Sequence, residues 1–170
     1  TISKVAVLGS GIMGSRIACH FANIGVEVLL LDMAPKESSD EQSKGGTIAL
    51  ASKAVRNQIV NAALETAVKS NPSPLFSKKA LNKITTGNFE DNMPDIASCD
   101  WVIEVVVERL DIKKVIYDQV EKFRKPGTLV TSNTSGIPIH LMDARLDQAV
   151  AGDAPATATR RDTPKTRACL

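Results

Sequence analysis

Val5 to Leu8 form an unbroken apolar run between Lys4 and Gly9. A short run of this kind fits a strand buried on both faces. From Ile12 the spacing becomes helical: Ile12, Ile17, Phe21 and Ile24 recur on one face, Ala18 and Ala22 lie between them, and Gly25 supplies a stop. Val26 to Leu31, interrupted only by Glu27, reads as a second buried strand ending at Asp32. Strand, helix and strand within about 30 residues make a βαβ unit. Its strands are parallel and its crossover right-handed.

The pattern then changes. Ala34 to Gly46 is polar and reads as a loop or frayed helix start. Ile48, Ala51, Val55, Ile59, Ala62, Ala63 and Val68 predict a long amphipathic helix over Thr47 to Lys69, broken by Asn71-Pro72-Ser73-Pro74. Ser77 to Asn82 reads as a short returning helix, so a helical hairpin is inserted at about 47–82. The sheet resumes at Ile84 to Thr86, and Trp101 to Val107 is the strongest strand signal in the chain. Asp111 to Phe123 is helical, with Ile112, Val115, Ile116 and Val120 on one face. Pro126-Gly127 turns into a strand over Thr128 to Thr131, which runs into Ser132-Asn133-Thr134-Ser135-Gly136. The expectation is an α/β fold, a Rossmann-type doubly wound sheet over residues 1–142. Asp143 to Leu170 is dominated by Ala, Arg, Thr and Asp without period. Such a tail buries too little apolar surface to offset ordering entropy and is expected to be disordered.

Composition narrows the classes. With 170 residues the chain has room for about one domain. Lys+Arg 21 against Asp+Glu 19 leaves no basic surplus for nucleic acid or anionic lipid. No apolar run approaches the ~20 residues of a membrane span, and the start lacks the charged-then-apolar order of a signal peptide. Cys19, Cys99 and Cys169 are far apart, and there are two histidines, so no metal site is expected. A reducing, cytoplasmic-type compartment fits this cysteine usage best.

Gly9-Ser10-Gly11-Ile12-Met13-Gly14 is G-x-G-x-x-G, set between a strand and a helix as that pattern requires. Gly9 permits the tight turn, Gly11 the close approach of a pyrophosphate, and Gly14 close packing of helix on strand. The helix start offers free N–H groups and about half a positive charge. A glycine turn without a ligand is the other reading. Asp32 follows Gly14 by 18 residues at a strand end. A carboxylate there accepts both adenosine ribose hydroxyls and repels a 2′-phosphate, and Met33 and Ala34 supply no Arg, so NAD is favoured over NADP. Read without the glycines, Asp32 is a solvated strand-end acid.

Glu108 and Lys113 follow the Trp101 strand on the carboxyl edge of the sheet. By spacing they either flank a nicotinamide ribose or form an ordinary surface pair. Glu104, inside an apolar strand, needs a partner; it is read as structural, facing a helix terminus. Ser132 to Ser135 fall on the same edge, either as hydrogen-bonding groups for substrate oxygen and carboxamide or as a capped turn. Met13, Met33 and Cys19 read as packing residues, and His20 as packed or solvated. His140 sits in no motif that assigns it a role.

With these pieces placed, the chain resembles the NAD-binding domain of the L-3-hydroxyacyl-CoA dehydrogenases of fatty-acid β-oxidation. The stretches that carry the resemblance are Lys4 to Gly14, Asp32, Trp101 to Leu110, Lys113 and Ser132 to Ser135, and the likeness covers about residues 1–142. It implies that Gly9, Gly11, Ile12, Met13, Gly14, Asp32, Glu108, Lys113 and Asn133 bind NAD. It implies that Ser135 bonds the substrate's 3-oxygen and is the catalytic residue present. It makes Lys69 a candidate for the CoA moiety; a serine expected in the same helix is replaced by Ala63. It also implies a 3-hydroxyacyl-CoA substrate and a homodimer or a β-oxidation multienzyme complex.

The resemblance breaks at the end. In the family a catalytic His follows the last Ser of Ser-Asn-Thr-Ser by about 21 residues, in His-Phe-Phe-Asn-Pro. Gapless counting from Ser135 reaches Ala156, and no histidine follows His140. The helical C-terminal domain of the family is not in this chain either. The family's Asn-Pro-Pro-Arg-Tyr, read one nucleotide later with suitable codons, becomes Thr-Arg-Arg-Asp-Thr, which is Thr159 to Thr163. The same shift does not recover His-Phe-Phe from Ala156 to Ala158. A frameshift between about 142 and 158 is the expectation, and sequencing the DNA tests it. Two other readings stay open: a non-catalytic NAD-binding fragment, and a β-hydroxyacid dehydrogenase of the G-x-G-x-M-G type.

Overall fold

The computed structural model describes residues 1–35 and 53–137, together with a two-residue strand at 167–168. Its strands are β1 (Lys4–Leu8), β2 (Glu27–Asp32), β3 (Ile84–Asn88), β4 (Trp101–Glu104), β5 (Leu129–Ser132) and β6 (Arg167–Ala168). Its α-helices are α1 (Ile12–Asn23), α2 (Lys53–Arg56), α3 (Gln58–Lys69), α4 (Phe89–Asn92) and α5 (Leu110–Phe123). The sheet order is β3-β2-β1-β4-β5-β6 and every pair is parallel. The chain winds outward from β1 in one direction, then returns and winds outward in the other. β1 and β4 therefore mark the switch point, where such sheets bind ligands at their carboxyl ends.

The apolar runs are explained by what covers each face. Ala6 and Leu8 pack with Met93, Ile96, Ile116, Tyr117 and Val120 on one face. Val7, Val28 and Leu30 pack with Ala18, Cys19, Ala22, Val60 and Leu64 on the other. Alternate side chains of a strand point to opposite faces, so burial on both sides demands apolar residues at every position. The small residues Ala18, Cys19 and Ala22 bring α1 close to the sheet and to α3.

Several elements differ from the sequence reading. β4 ends at Glu104, not Val107, because its neighbours β1 and β5 end at Leu8 and Ser132 in register with it. Val105 makes one further ladder bond, N–H to Leu8 O at 2.8 Å, and Val107 is exposed. The long helix is broken at the buried Asn57, giving α2 and α3. Residues 47–52 of that expected helix lie outside the described residues. The returning arm of the hairpin is a single 3-10 turn, Ala80–Lys83. α4 and the 3-10 segment Met93–Ser98 were not foreshadowed by apolar period, being too short to show one. Their signal is local chemistry: the Asn88 side chain caps α4, accepting from the N–H of Glu90 at 3.1 Å and Asp91 at 2.9 Å. Most of the tail lies outside the described residues. Its described part, Arg167–Ala168, pairs with Thr131 and Ser132 as an edge strand, which composition alone did not suggest.

Asp100 fastens the start of the sheet. Its Oδ2 accepts from the N–H of Ser3 at 2.8 Å and of Lys4 at 3.2 Å, and Oδ1 accepts from Lys125 Nζ at 2.8 Å. The Lys125 ammonium, with the Ser3 amide and hydroxyl, holds this carboxyl well below the usual aspartate range. A carboxylate depressed in the folded state stabilises above its unfolded pKa and loses that contribution as pH falls through the folded value. Tm should therefore fall with acidification below about pH 4, and Asp100→Asn should have a lower Tm at neutral pH and a flatter acid limb. Matching acid limbs in the two proteins contradict this assignment.

Candidate functional site

At the carboxyl end of β1 the chain turns through Gly9 at φ +109°. Gly9 N–H bonds Leu31 O at 2.7 Å, and a Cβ here would lie 2.6 Å from Val105 O. A Cβ on Gly14 would lie 1.8 Å from Gly9 O, so α1 sits against the turn itself. A Cβ on Gly11 would meet nothing within 4 Å. Gly9 and Gly14 are thus required by packing, whereas the space at Gly11 is open. No side chain caps α1, and its first turn holds no acid. Its first N–H groups are left to an incoming anion, favoured by the helix dipole.

Asp32 stands over this turn. Its Oδ2 accepts from Ser10 N–H at 2.7 Å and Ser10 Oγ at 2.5 Å, and Oδ1 accepts from Met33 N–H at 2.7 Å. Oδ2 thus accepts two hydrogen bonds and Oδ1 one, which leaves one oriented acceptor site, on Oδ1, for a ribose hydroxyl. Ser10 is the residue that sequence reasoning missed; its signal was a hydroxyl between the first two glycines.

The second half of the site is built from the ends of β4 and β5. Glu108 Oε1 accepts from Thr134 Oγ1 at 3.1 Å, Ser135 N–H at 3.1 Å and Gly136 N–H at 3.4 Å. The Ser135 amide, then the Thr134 hydroxyl and Gly136 amide, hold its carboxyl below the usual glutamate range. Asn133 is half-buried and bonds Glu104 O through its N–H at 2.8 Å. Ser135 is exposed, and among the described residues its hydroxyl has no partner. Glu108, Asn133 and Ser135 are therefore brought to one edge beside the glycine turn.

Lys113 is elsewhere. It does not flank an open ribose site beside Glu108; it is 1% exposed, with Nζ 2.6 Å from Glu104 Oε1. The helical path from Leu110 carries its side chain back beneath the loop. Glu104, also 1% exposed, accepts from Val106 N–H at 2.8 Å and Ser132 Oγ at 2.5 Å as well. It is structural as expected, but its partner is this lysine rather than a helix terminus. Lys69 is exposed and ion-paired with Glu65 on the outer face of α3. Met13 and Met33 are 52% and 47% exposed, not packed in the core, and Ile12 beside them is 81% exposed. Cys19 is buried as expected, whereas His20 is exposed with its ring edge-on to Phe21. Among the described residues no group of acids, histidines or cysteines is placed to hold a metal, and no helix is long and apolar enough to cross a membrane. His140 and Cys169 lie outside the described residues.

A family model described as 3-hydroxyacyl-CoA dehydrogenase, NAD binding domain, matches residues 4–151. The chain belongs to this family. Among curated relatives, the "Probable 3-hydroxyacyl-CoA dehydrogenase" of Bacillus subtilis is 48% identical over 141 residues, covering 83% of this chain and 18% of the relative. The "Putative fatty acid oxidation complex trifunctional enzyme" of Rickettsia felis is 39% identical over 145 residues, covering 85% of this chain and 18% of the relative. The crystal structure of 3-hydroxybutyryl-CoA dehydrogenase from Escherichia coli is similar with TM-score 0.55 and 27% identity, covering 85% of this chain and 27% of that one. The chain thus spans less than a third of each of these proteins. NAD is the cofactor of the family, and this 3-hydroxyacyl-CoA dehydrogenase domain offers what a dinucleotide needs: an uncapped helix start, an open Gly11 and an oriented Asp32.

Proposed function

We propose that the chain is the NAD-binding part of an enzyme that oxidises an L-3-hydroxyacyl-CoA to the 3-ketoacyl-CoA in fatty-acid β-oxidation. The observation that carries this reading is the shared carboxyl edge of the sheet, where the Gly9–Asp32 cradle stands beside Glu108, Asn133 and Ser135. Bound NAD supplies the hydride acceptor. The cradle fixes the adenosine half through Asp32 and the helix start. Glu108, Asn133 and Ser135 are our assignment for the nicotinamide half, with Ser135 Oγ donating to the substrate's 3-oxygen. Glu108 keeps the Thr134–Gly136 loop in place through its three bonds. The trifunctional relative supports placement in a β-oxidation multienzyme assembly. Cys19 and Cys99, buried and in no disulfide, support a reducing, cytoplasmic-type compartment.

The second reading is a dinucleotide-binding fragment without turnover. It is favoured by one observation: Ala156 stands where the family's general base is expected. A positioned base contributes typically 10²–10⁴-fold, so this chain should bind NADH and reduce acetoacetyl-CoA at a rate lowered at least by that factor. The test is NADH consumption with acetoacetyl-CoA, alongside calorimetric binding of NADH. Binding without turnover supports the fragment; turnover at the rate of an intact enzyme overturns it; absence of NADH binding overturns both readings.

A further inference from the structure

The loop after β5 presents Asn133 and Ser135, and each backbone N–H from Asn133 to Gly136 is already bonded. Asn133 N–H donates to Glu104 O at 2.8 Å and Thr134 N–H to Ser132 Oγ at 3.2 Å. Ser135 and Gly136 N–H donate to Glu108 Oε1 at 3.1 and 3.4 Å. Among the described residues, the Asn133 side chain and the Ser135 hydroxyl have no such partner. The main chain of the loop is thus spent on fastening it, while two polar side chains are left open.

The fastenings are unequal. Glu108 is an exposed carboxylate, so water competes for each of its bonds. Ser132 is 1% exposed, and its Oγ donates to Glu104 Oε2 at 2.5 Å while accepting from Thr134 N–H. A serine hydroxyl can donate and accept at once. The other oxygen of Glu104 is held by Lys113 Nζ at 2.6 Å and Val106 N–H at 2.8 Å. Hydrogen bonds out of water are electrostatically stronger, and in a chain they polarise one another. The rigid anchor is therefore the buried line from Lys113 through Glu104 to Ser132. Among the described residues, the Ser132 hydroxyl is the one side chain through which that line reaches the loop.

We propose that Ser132 is a positioning residue for the nicotinamide half of the cofactor. Sealed from solvent, it touches no ligand; it sets the place of Asn133 and Ser135 through Thr134. This rests on the assignment of that half made above. The two readings of Ser132 to Ser135 then belong to different residues: Ser132 caps the turn, and Asn133 and Ser135 are the ligand groups. Ser132→Ala strips Thr134 N–H of its acceptor and Glu104 Oε2 of a donor, and the loop loses its rigid anchor. The Gly9–Asp32 cradle shares no hydrogen bond with this loop among the described residues, so the adenosine half is an internal control.

Calorimetric titration of the full chain with NADH and with ADP-ribose, which lacks the nicotinamide ring, tests this on the wild type and Ser132→Ala. The wild type should bind NADH more tightly than ADP-ribose. Ser132→Ala should lose roughly tenfold in NADH affinity and keep its affinity for ADP-ribose. The fluorescence of the bound nicotinamide ring should move toward that of free NADH. Unchanged NADH affinity in Ser132→Ala overturns the proposal. So does an equal loss of both ligands, failure to fold included, because the hydroxyl then serves stability alone. Equal affinity of the wild type for the two ligands is a separate result, and it overturns the assignment of the nicotinamide half itself.

Discussion

Gly14→Ala should unfold or strongly destabilise the domain, while Gly11→Ala should fold normally and lose the dinucleotide. The two glycines lie three residues apart in one motif, yet their surroundings are opposite. The added methyl at Gly14 would sit 1.8 Å from Gly9 O and 2.8 Å from Gly9 C, both backbone atoms. Neither can swing aside, so α1 has to move off β1 and take Ala18, Cys19 and Ala22 out of their packing with Val7 and Leu30. Overpacking a well-filled core costs typically about 1–3 kcal/mol, and the backbone clash puts this case at the upper end or beyond. For a chain of this size about 3 kcal/mol lowers Tm by roughly 6–12 °C. At Gly11, φ is −54° and the methyl meets nothing within 4 Å. Alanine fits there in the free protein and fills the space a diphosphate needs. Thermal melts with and without NADH separate the two: Gly11→Ala should match the wild type alone and fail to gain Tm on adding NADH. A Gly11→Ala protein stabilised by NADH as much as the wild type contradicts the phosphate assignment.

The second large effect concerns the buried Lys113–Glu104 pair. Lys113→Met should destabilise the chain by about 3–5 kcal/mol, the usual cost of stranding one charge of a buried pair. Glu104 would then keep only Val106 N–H and Ser132 Oγ as donors. The consequence reaches the site, because Glu104 joins α5, the turn after β4 and the end of β5. Ser132 Oγ in turn accepts from Thr134 N–H at 3.2 Å, and Thr134 bonds Glu108. The double variant Glu104→Gln/Lys113→Met removes both charges and keeps an acceptor for the neighbouring donors. It should be more stable than Lys113→Met alone, since coupled neighbours depart from additivity. Urea unfolding midpoints give the comparison. Equal midpoints for wild type and Lys113→Met contradict a charged, structural pair.

This pair also shows where the sequence stops being informative. The glycine turn, Asp32 and the order of the strands are local or periodic features, and they are legible because each depends on a few neighbouring residues. The five-residue spacing of Glu108 and Lys113 is equally visible but says nothing of which way the lysine turns. That is decided by Glu104, nine positions earlier and buried, whose demand for a counter-charge outweighs solvation of the ammonium. Sequence reasoning noticed that Glu104 needed a partner and looked for it at a helix end. Similarly, the length of β4 is set by where β1 and β5 stop, and the exposure of Met13 and Met33 by the site they border. Neither is written in the residues themselves.

The central claim is that the cradle of Gly9, Gly11, Gly14 and Asp32 binds NAD through its unphosphorylated adenosine ribose. Calorimetric titration of the purified chain with NADH and with NADPH tests it most directly. NADH should bind, with NADPH at least about tenfold weaker, since Asp32 sits where a 2′-phosphate would bring like charge. Asp32→Asn should narrow that ratio. Equal affinity for the two, preference for NADPH, or no binding of NADH would contradict the account.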